Sequence, residues 1–164
     1  AECTFADGTK LFLYVRAIAG CHGEFASYAH GTKGSAVIST HMHTPAKCRV
    51  YKGHDFVRSN LVWAFPQPEP NPYQLEWDHL IDAIRNDKLF NEAKRGTEAG
   101  LVTAMARRAV HTGQVVTYDE MLNSEEEFAS NVDALTMNSP APVHLGPDGI
   151  YPTPQPGILK NREY

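Results

Sequence analysis

The sequence predicts an α+β fold: an open, mainly antiparallel β-sheet, covered on one face by a helix pair, with the other face left for oligomerisation. Three observations predict it. Residues 2 to 65 carry short apolar segments punctuated by glycine turns, the pattern of hairpin-linked strands. Asn71 to Tyr118 reads as helix, short loop, helix, glycine and strand. From Ser139 onward prolines recur at 140, 142, 147, 152, 154 and 156, which predicts an extended, irregular tail. The expected organisation is one domain over residues 1–138 and a tail over 139–164.

Each element has a local reason. Glu2 to Ala6 reads as a strand, and Asp7-Gly8 is a hairpin turn because glycine tolerates positive φ. Lys10 to Ile18 reads as the returning strand, apolar on both faces apart from Arg16. Arg16 reads either as an edge charge or as a contact for an anion or hydroxyl. Gly20 to Gly23 is a turn, followed by strands at Glu24–His30 and Ser35–Thr40 around Gly31-Thr32-Lys33-Gly34. Cys48–Tyr51 and Leu61–Phe65 are two further strands. Pro66 to Pro70 cannot be helical and leads to Asn71.

Asn71 suits a helix cap, Pro72 the first helical position, and Gln74 the third place of a capping box. Trp77, Leu80, Ile81 and Ile84 then form one apolar face, expected to be core, and Asn86 is expected to end the helix in a left-handed turn. A second helix spans roughly 92 to 111, with Leu101, Val102, Met105, Ala106, Ala109 and Val110 as its stripe. Arg107, Arg108 and His111 favour its C-terminal dipole, and Gly113 stops it. Gln114 to Tyr118 reads as a strand. Thr117-x-x-Glu120 and Ser124-x-x-Glu127 read as two capping boxes, each opening a brief helical turn.

With 164 residues the chain is long enough for a core of its own, and its net charge of −4 with scattered basic residues argues against nucleic acid as a partner. No apolar run approaches the length of a membrane span, no signal-peptide pattern opens the sequence, and three cysteines without C-x-x-C spacing read as reduced thiols. A cytoplasmic location is therefore expected.

Several chemistry-bearing patterns fail on inspection. His41-Met42-His43 could share a metal through two imidazoles on one strand face, but no third ligand stands at a telling offset. Cys21 and His22 are adjacent, so their side chains diverge too far for a nucleophile and its base. Gly31 to Gly34 lacks the full phosphate-loop pattern, and no G-x-G-x-x-G follows a strand. Tyr73, at a helix N-terminus, is placed to offer its hydroxyl to a ligand.

The ordered set FADGTKLF, R-x-I-x-GC, HGTKGSA, NPYQLEWDHLIDAIRN and NEAKRGTEAGLVTAMARRAVHTGQVVTYDEMLNS resembles the C-terminal domain of the glucose–fructose oxidoreductase, inositol dehydrogenase and rhizopine-catabolism family (Gfo/Idh/MocA), in particular its planctomycete-type dehydrogenases. The resemblance runs from about Glu2 to Ser124. It implies a substrate-binding and oligomerisation domain of an oxidoreductase that uses NAD or NADP to move hydride on a sugar, cyclitol or related polyol. It further implies a separate Rossmann domain, with the family's catalytic lysine and histidine upstream of residue 1. On that expectation the chain alone binds no cofactor and is inactive. Tyr73 maps onto the family's active-site tyrosine, in the pattern Tyr73, Glu76, Leu80. The turn at His22 falls where relatives place a substrate contact, although the residue type differs, and Arg16 completes the expected substrate-binding set. A homodimer or homotetramer through the sheet face is expected. The residues alone also allow a different class, a stand-alone α+β module that binds a small ligand or dimerises without catalysis. Substrate identity, NAD against NADP and reaction direction are not encoded in any motif here.

Overall fold

The computed structural model describes residues 1–164 apart from His41, His43, Pro45 and Ser130. Among the described residues the architecture is α+β, with two antiparallel sheets and three α-helices. The residues cluster into two compact units. One joins Ala1–Val15 to Asn91–Tyr164, and the other is Arg16–Phe90. The proline-rich tail clusters in the same unit as the second long helix.

The Arg16–Phe90 unit holds a four-stranded meander: β3 (Ser27–His30), β4 (Gly34–Ser39), β5 (Arg49–Lys52) and β6 (Leu61–Ala64), each paired with its sequence neighbour. The β3–β4 turn closes through the Gly31 N–H on the Gly34 carbonyl at 2.8 Å. Gly34 is required by space, since a Cβ there would lie 2.3 Å from the Tyr51 carbonyl oxygen.

Strand alternation divides the sheet into two unlike faces. Ser35, Val37, Ser39 and Tyr51 share one face, and all four are buried. Tyr28 and His30 join it from β3, and Phe56 lies within 5.5 Å, centroid to centroid, of Tyr28, His30 and Tyr51. The opposite face carries Ala29, Ala36, Val50 and Trp63, which are in register across all four strands. Ile38 lies on the same face. Ala29, Ile38, Val50 and Trp63 are exposed and Ala36 is half-buried.

Helix α1 (Pro72–Arg85) starts as its sequence dictates, with Asn71 Oδ1 accepting the Tyr73 N–H at 3.0 Å. Three details differ from expectation. Gln74 bonds Asp78 Oδ1 instead of closing a capping box, because a partner one turn on competes for its amide. The left-handed residue after the helix is Asp87, with φ 48°, not Asn86. The expected core face is open: Trp77 is 63% and Ile84 67% exposed, while Ala83 is the buried residue. Helix α1 makes no extended contact with another element, so it does not cover the sheet. Phe56, from the β5–β6 connection, packs on that face against Tyr28 and Tyr51.

In the other unit, β1 (Glu2–Thr4) and β2 (Lys10–Phe12) form the predicted hairpin, with Gly8 at φ 84°. The second strand is shorter than expected. Its last link is the mutual pair of Ala1 and Leu13, and Tyr14 to Ile18 join neither of the described sheets. Helix α2 (Ala93–Thr112) packs against α3 (Tyr118–Leu122). Gly113 stops α2 at φ 68°, where a Cβ would also meet the Gly157 nitrogen at 2.9 Å. The expected strand at Gln114–Tyr118 is absent. Val115 is 93% exposed, and no strand lies beside it to complete a ladder. The second capping box is absent too: Ser124 Oγ accepts the Glu126 N–H and a bond from Arg108 instead.

The first capping box is complete. Thr117 Oγ1 accepts the Glu120 N–H at 3.3 Å, and Glu120 Oε2 accepts the Thr117 N–H at 2.8 Å. Replacing Thr117 by alanine is expected to cost about 1 kcal/mol and to fray α3, read as faster amide exchange at Glu120 and Met121. Unchanged exchange would contradict the cap. The Thr117 backbone N–H, and after it the Thr117 hydroxyl, hold the Glu120 carboxyl below its usual range. A depressed carboxylate stabilises the fold above its unfolded pKa of about 4.3 and loses that effect as pH falls through the lower folded value. The protection of the Glu120 and Met121 amides, corrected for intrinsic exchange rates, should therefore fall on acidification below that range, and Glu120→Gln should remove that change.

Burial is sparse throughout. The chain exposes 13513 Å². A folded chain of this mass exposes about 8,100 Å², and two separately folded halves would together expose about 9,800 Å². No helix among the described residues is long and apolar enough to cross a membrane.

Candidate functional site

Of the three residues expected to meet substrate, two are brought together. Arg16 Nη2 donates to the His22 carbonyl at 2.9 Å, closing the turn that carries Cys21. This bond uses part of the guanidinium fork and leaves the His22 imidazole outside it. Both residues are exposed. Tyr73 is 65% exposed in the first turn of α1, and among the described residues no hydrogen bond joins it to Arg16 or His22. A surface depression of about 350 Å³ along α1 is lined by Gln74, Trp77, Asp78, Ile81, Asp82 and Arg85. Tyr73 is not in that lining. The His41 and His43 metal reading lies outside the described residues. Among those described, no group of three or more His, Cys, Asp or Glu side chains could hold a metal ion. Cys3, Cys21 and Cys48 are free thiols.

Two polar clusters were not legible in the sequence. The first sits at the exposed end of the meander face that carries Tyr51. His30 follows the β3–β4 pairing, and His54 follows β5 in the turn whose Gly53 carbonyl accepts Ser35 Oγ–H at 2.8 Å. Their Nδ1 atoms are 3.1 Å apart and their ring centroids 5.4 Å. One Nδ1 must carry a proton and the other accept it. Beside them Tyr28 donates its hydroxyl to Glu24 Oε1 at 2.5 Å, and that carboxylate pushes the phenol pKa up.

The second cluster binds the C-terminal residues to α2. Glu163 is 2% exposed. Its Oε2 receives Arg107 Nε at 2.9 Å and His111 Nδ1 at 2.5 Å. Its backbone N–H donates to Glu126 Oε1 at 3.2 Å, and Glu126 pairs with Arg108. Arg108 also reaches the Asn161 carbonyl, and Arg107 reaches the Tyr164 hydroxyl at 2.6 Å while its guanidinium stands 4.7 Å from the Phe128 ring centroid. A carboxylate on one imidazole nitrogen is how a general base is oriented. Here the same oxygen also accepts Arg107, and among the described residues no hydroxyl or thiol nucleophile is bonded to the imidazole. The arrangement is a clamp holding Asn161, Glu163 and Tyr164 on α2. Arg107 and His111 stand one helical turn apart, which a sequence shows. Glu163 lies 52 residues beyond His111, which no local pattern marks.

One further carboxylate organises the approach to α1. Glu69, in the proline-rich connector, accepts the N–H groups of Lys47 and Cys48 at 2.9 and 3.1 Å. The Lys47 N–H, first among the causes, lowers its pKa. Lys47 is held at φ 55° beside this fork.

Comparison with family models, with curated proteins and with solved structures returns no match.

Proposed function

We propose that this chain is the substrate-binding and oligomerisation domain of a cytoplasmic NAD(P)-dependent oxidoreductase of the Gfo/Idh/MocA type, acting by hydride transfer on a sugar, cyclitol or related polyol. The observation that carries the reading is the open sheet face. Ala29, Ala36, Val50 and Trp63 run in register across four antiparallel strands, with Ile38 beside them, and the chain covers none of them fully. A sheet apolar on both sides needs a cover on each. The ordered motifs from Phe5 to Ser124 supply the family.

The residues present do not fit a dinucleotide site. No G-x-G-x-x-G follows a strand, and the strands of both sheets pair antiparallel, so no βαβ crossover is formed among the described residues. On the proposed reading, NAD(P) binding and the catalytic lysine and histidine belong to a separate Rossmann domain. Within this chain, Tyr73, His22 and Arg16 are the proposed substrate contacts, each bringing hydrogen-bond donors to a polyol's hydroxyls. Tyr73→Phe in the full-length parent should lower kcat/KM at least tenfold in NAD(P)-linked turnover of a sugar and polyol panel. A parent without a nucleotide-binding domain would overturn the reading.

The oligomer is tested on this chain directly. Light scattering at micromolar concentration should give a dimer or tetramer mass, and Trp63→Glu should reduce it to the monomer. A wild-type monomer would remove the interface from the proposal.

A further inference from the structure

We propose that His30 and His54 form a two-imidazole site for a single zinc, copper(II) or nickel ion. The inference is independent of the oxidoreductase reading. Metal–imidazole bonds are about 2.0–2.1 Å, so two nitrogens on one ion stand roughly 2.9 Å apart at a right angle and roughly 3.3 Å apart in a tetrahedron. The Nδ1 atoms of His30 and His54 are 3.1 Å apart, between those limits. Both side chains are exposed, so an ion has an open path and water can fill its remaining positions.

The backbone holds the pair from two sides. His30 is the last residue of β3 and is paired with Ser35. Ser35 in turn donates its hydroxyl to the carbonyl of Gly53, the residue before His54. Phe56 packs against the His30 ring at 5.5 Å between centroids. The two rings therefore meet through fixed neighbours and not through a flexible loop. In the ion-free pair one Nδ1–H donates to the other Nδ1, nearly in line. A metal replaces that proton. The donor ring moves its proton to Nε2 by exchange with solvent, both Nδ1 lone pairs become available, and each ring pivots about χ2, a broad torsion. Two neutral lone pairs this close repel unless a proton or a cation lies between them, which makes the pair a receptor for one or the other. Imidazole ligands favour zinc, copper and nickel over magnesium or calcium.

Zinc, copper(II) and nickel chlorides titrated into the intact chain near pH 7.5 should each show one binding step, and the ring resonances of His30 and His54 should be the first to move. His30→Gln and His54→Gln should each weaken binding at least tenfold, while a His41→Ala/His43→Ala variant should retain it. Magnesium should have no effect. Wild-type affinity in both glutamine variants, or first shifts at other histidines, would overturn the proposal, as would no binding of any of the three ions at millimolar concentration. The resonance assignment in the wild-type chain decides the matter even where a variant fails to fold.

Discussion

Glu163→Ala is expected to destabilise the chain by about 2 kcal/mol, a loss of roughly 4–8 °C in Tm. Removing one partner of a fully buried ion pair costs more than this, about 3–5 kcal/mol. Here Arg107 is nearly half exposed and His111 partly so, and water can recover much of what they lose. Glu163→Gln keeps the shape and one acceptor, so it should lie between the alanine variant and the wild type. The loss should be local first. Lys160 and Arg162 are exposed on the segment the clamp retains, and trypsin should cut there several-fold faster in the alanine variant. An unchanged cleavage rate with an unchanged Tm would show that the clamp contributes nothing.

The two faces of the meander should respond oppositely to truncation. Tyr51→Ala empties a buried position ringed by Phe56 and the β4 side chains, and should cost about 3 kcal/mol in unfolding free energy. Trp63→Ala removes a larger side chain from the open face. It should cost under about 1 kcal/mol in the dissociated chain while weakening self-association. Urea denaturation at two protein concentrations separates the effects. Equal losses for the two variants in the dissociated chain would mean that both faces are core.

What was legible in the sequence was local. The Asp7-Gly8 and Gly31–Gly34 turns, the meander strands, the Asn71 and Thr117 caps and the Gly113 stop each depend on residues within about four positions of one another. The misreadings share a cause. Trp77, Leu80, Ile81 and Ile84 have helical spacing, but spacing states which side chains share a face and not whether anything lies opposite. Val115 and Val116 have strand character, but a strand requires a neighbour, and none lies beside them. The clamp and the histidine pair join residues 52 and 24 positions apart, with nothing in the intervening sequence to couple them. Of the expected substrate contacts, the Arg16 link to His22 is formed through a main-chain carbonyl, which no side-chain motif records.

The two units differ in how the chain threads them, and this bears on the order of events during synthesis. Arg16–Phe90 is continuous, and its strands pair only with sequence neighbours, so it can fold as it leaves the ribosome. The other unit is split by those 75 residues and cannot close until the later helix and the tail have been made. Closing a loop of that length as free chain would cost about 4 kcal/mol, and prior folding of the inserted segment shortens the loop that must be ordered. The meander is then an early template. Glu163 can clamp α2 only after Arg107, His111 and Glu126, its partners in the network, have been made.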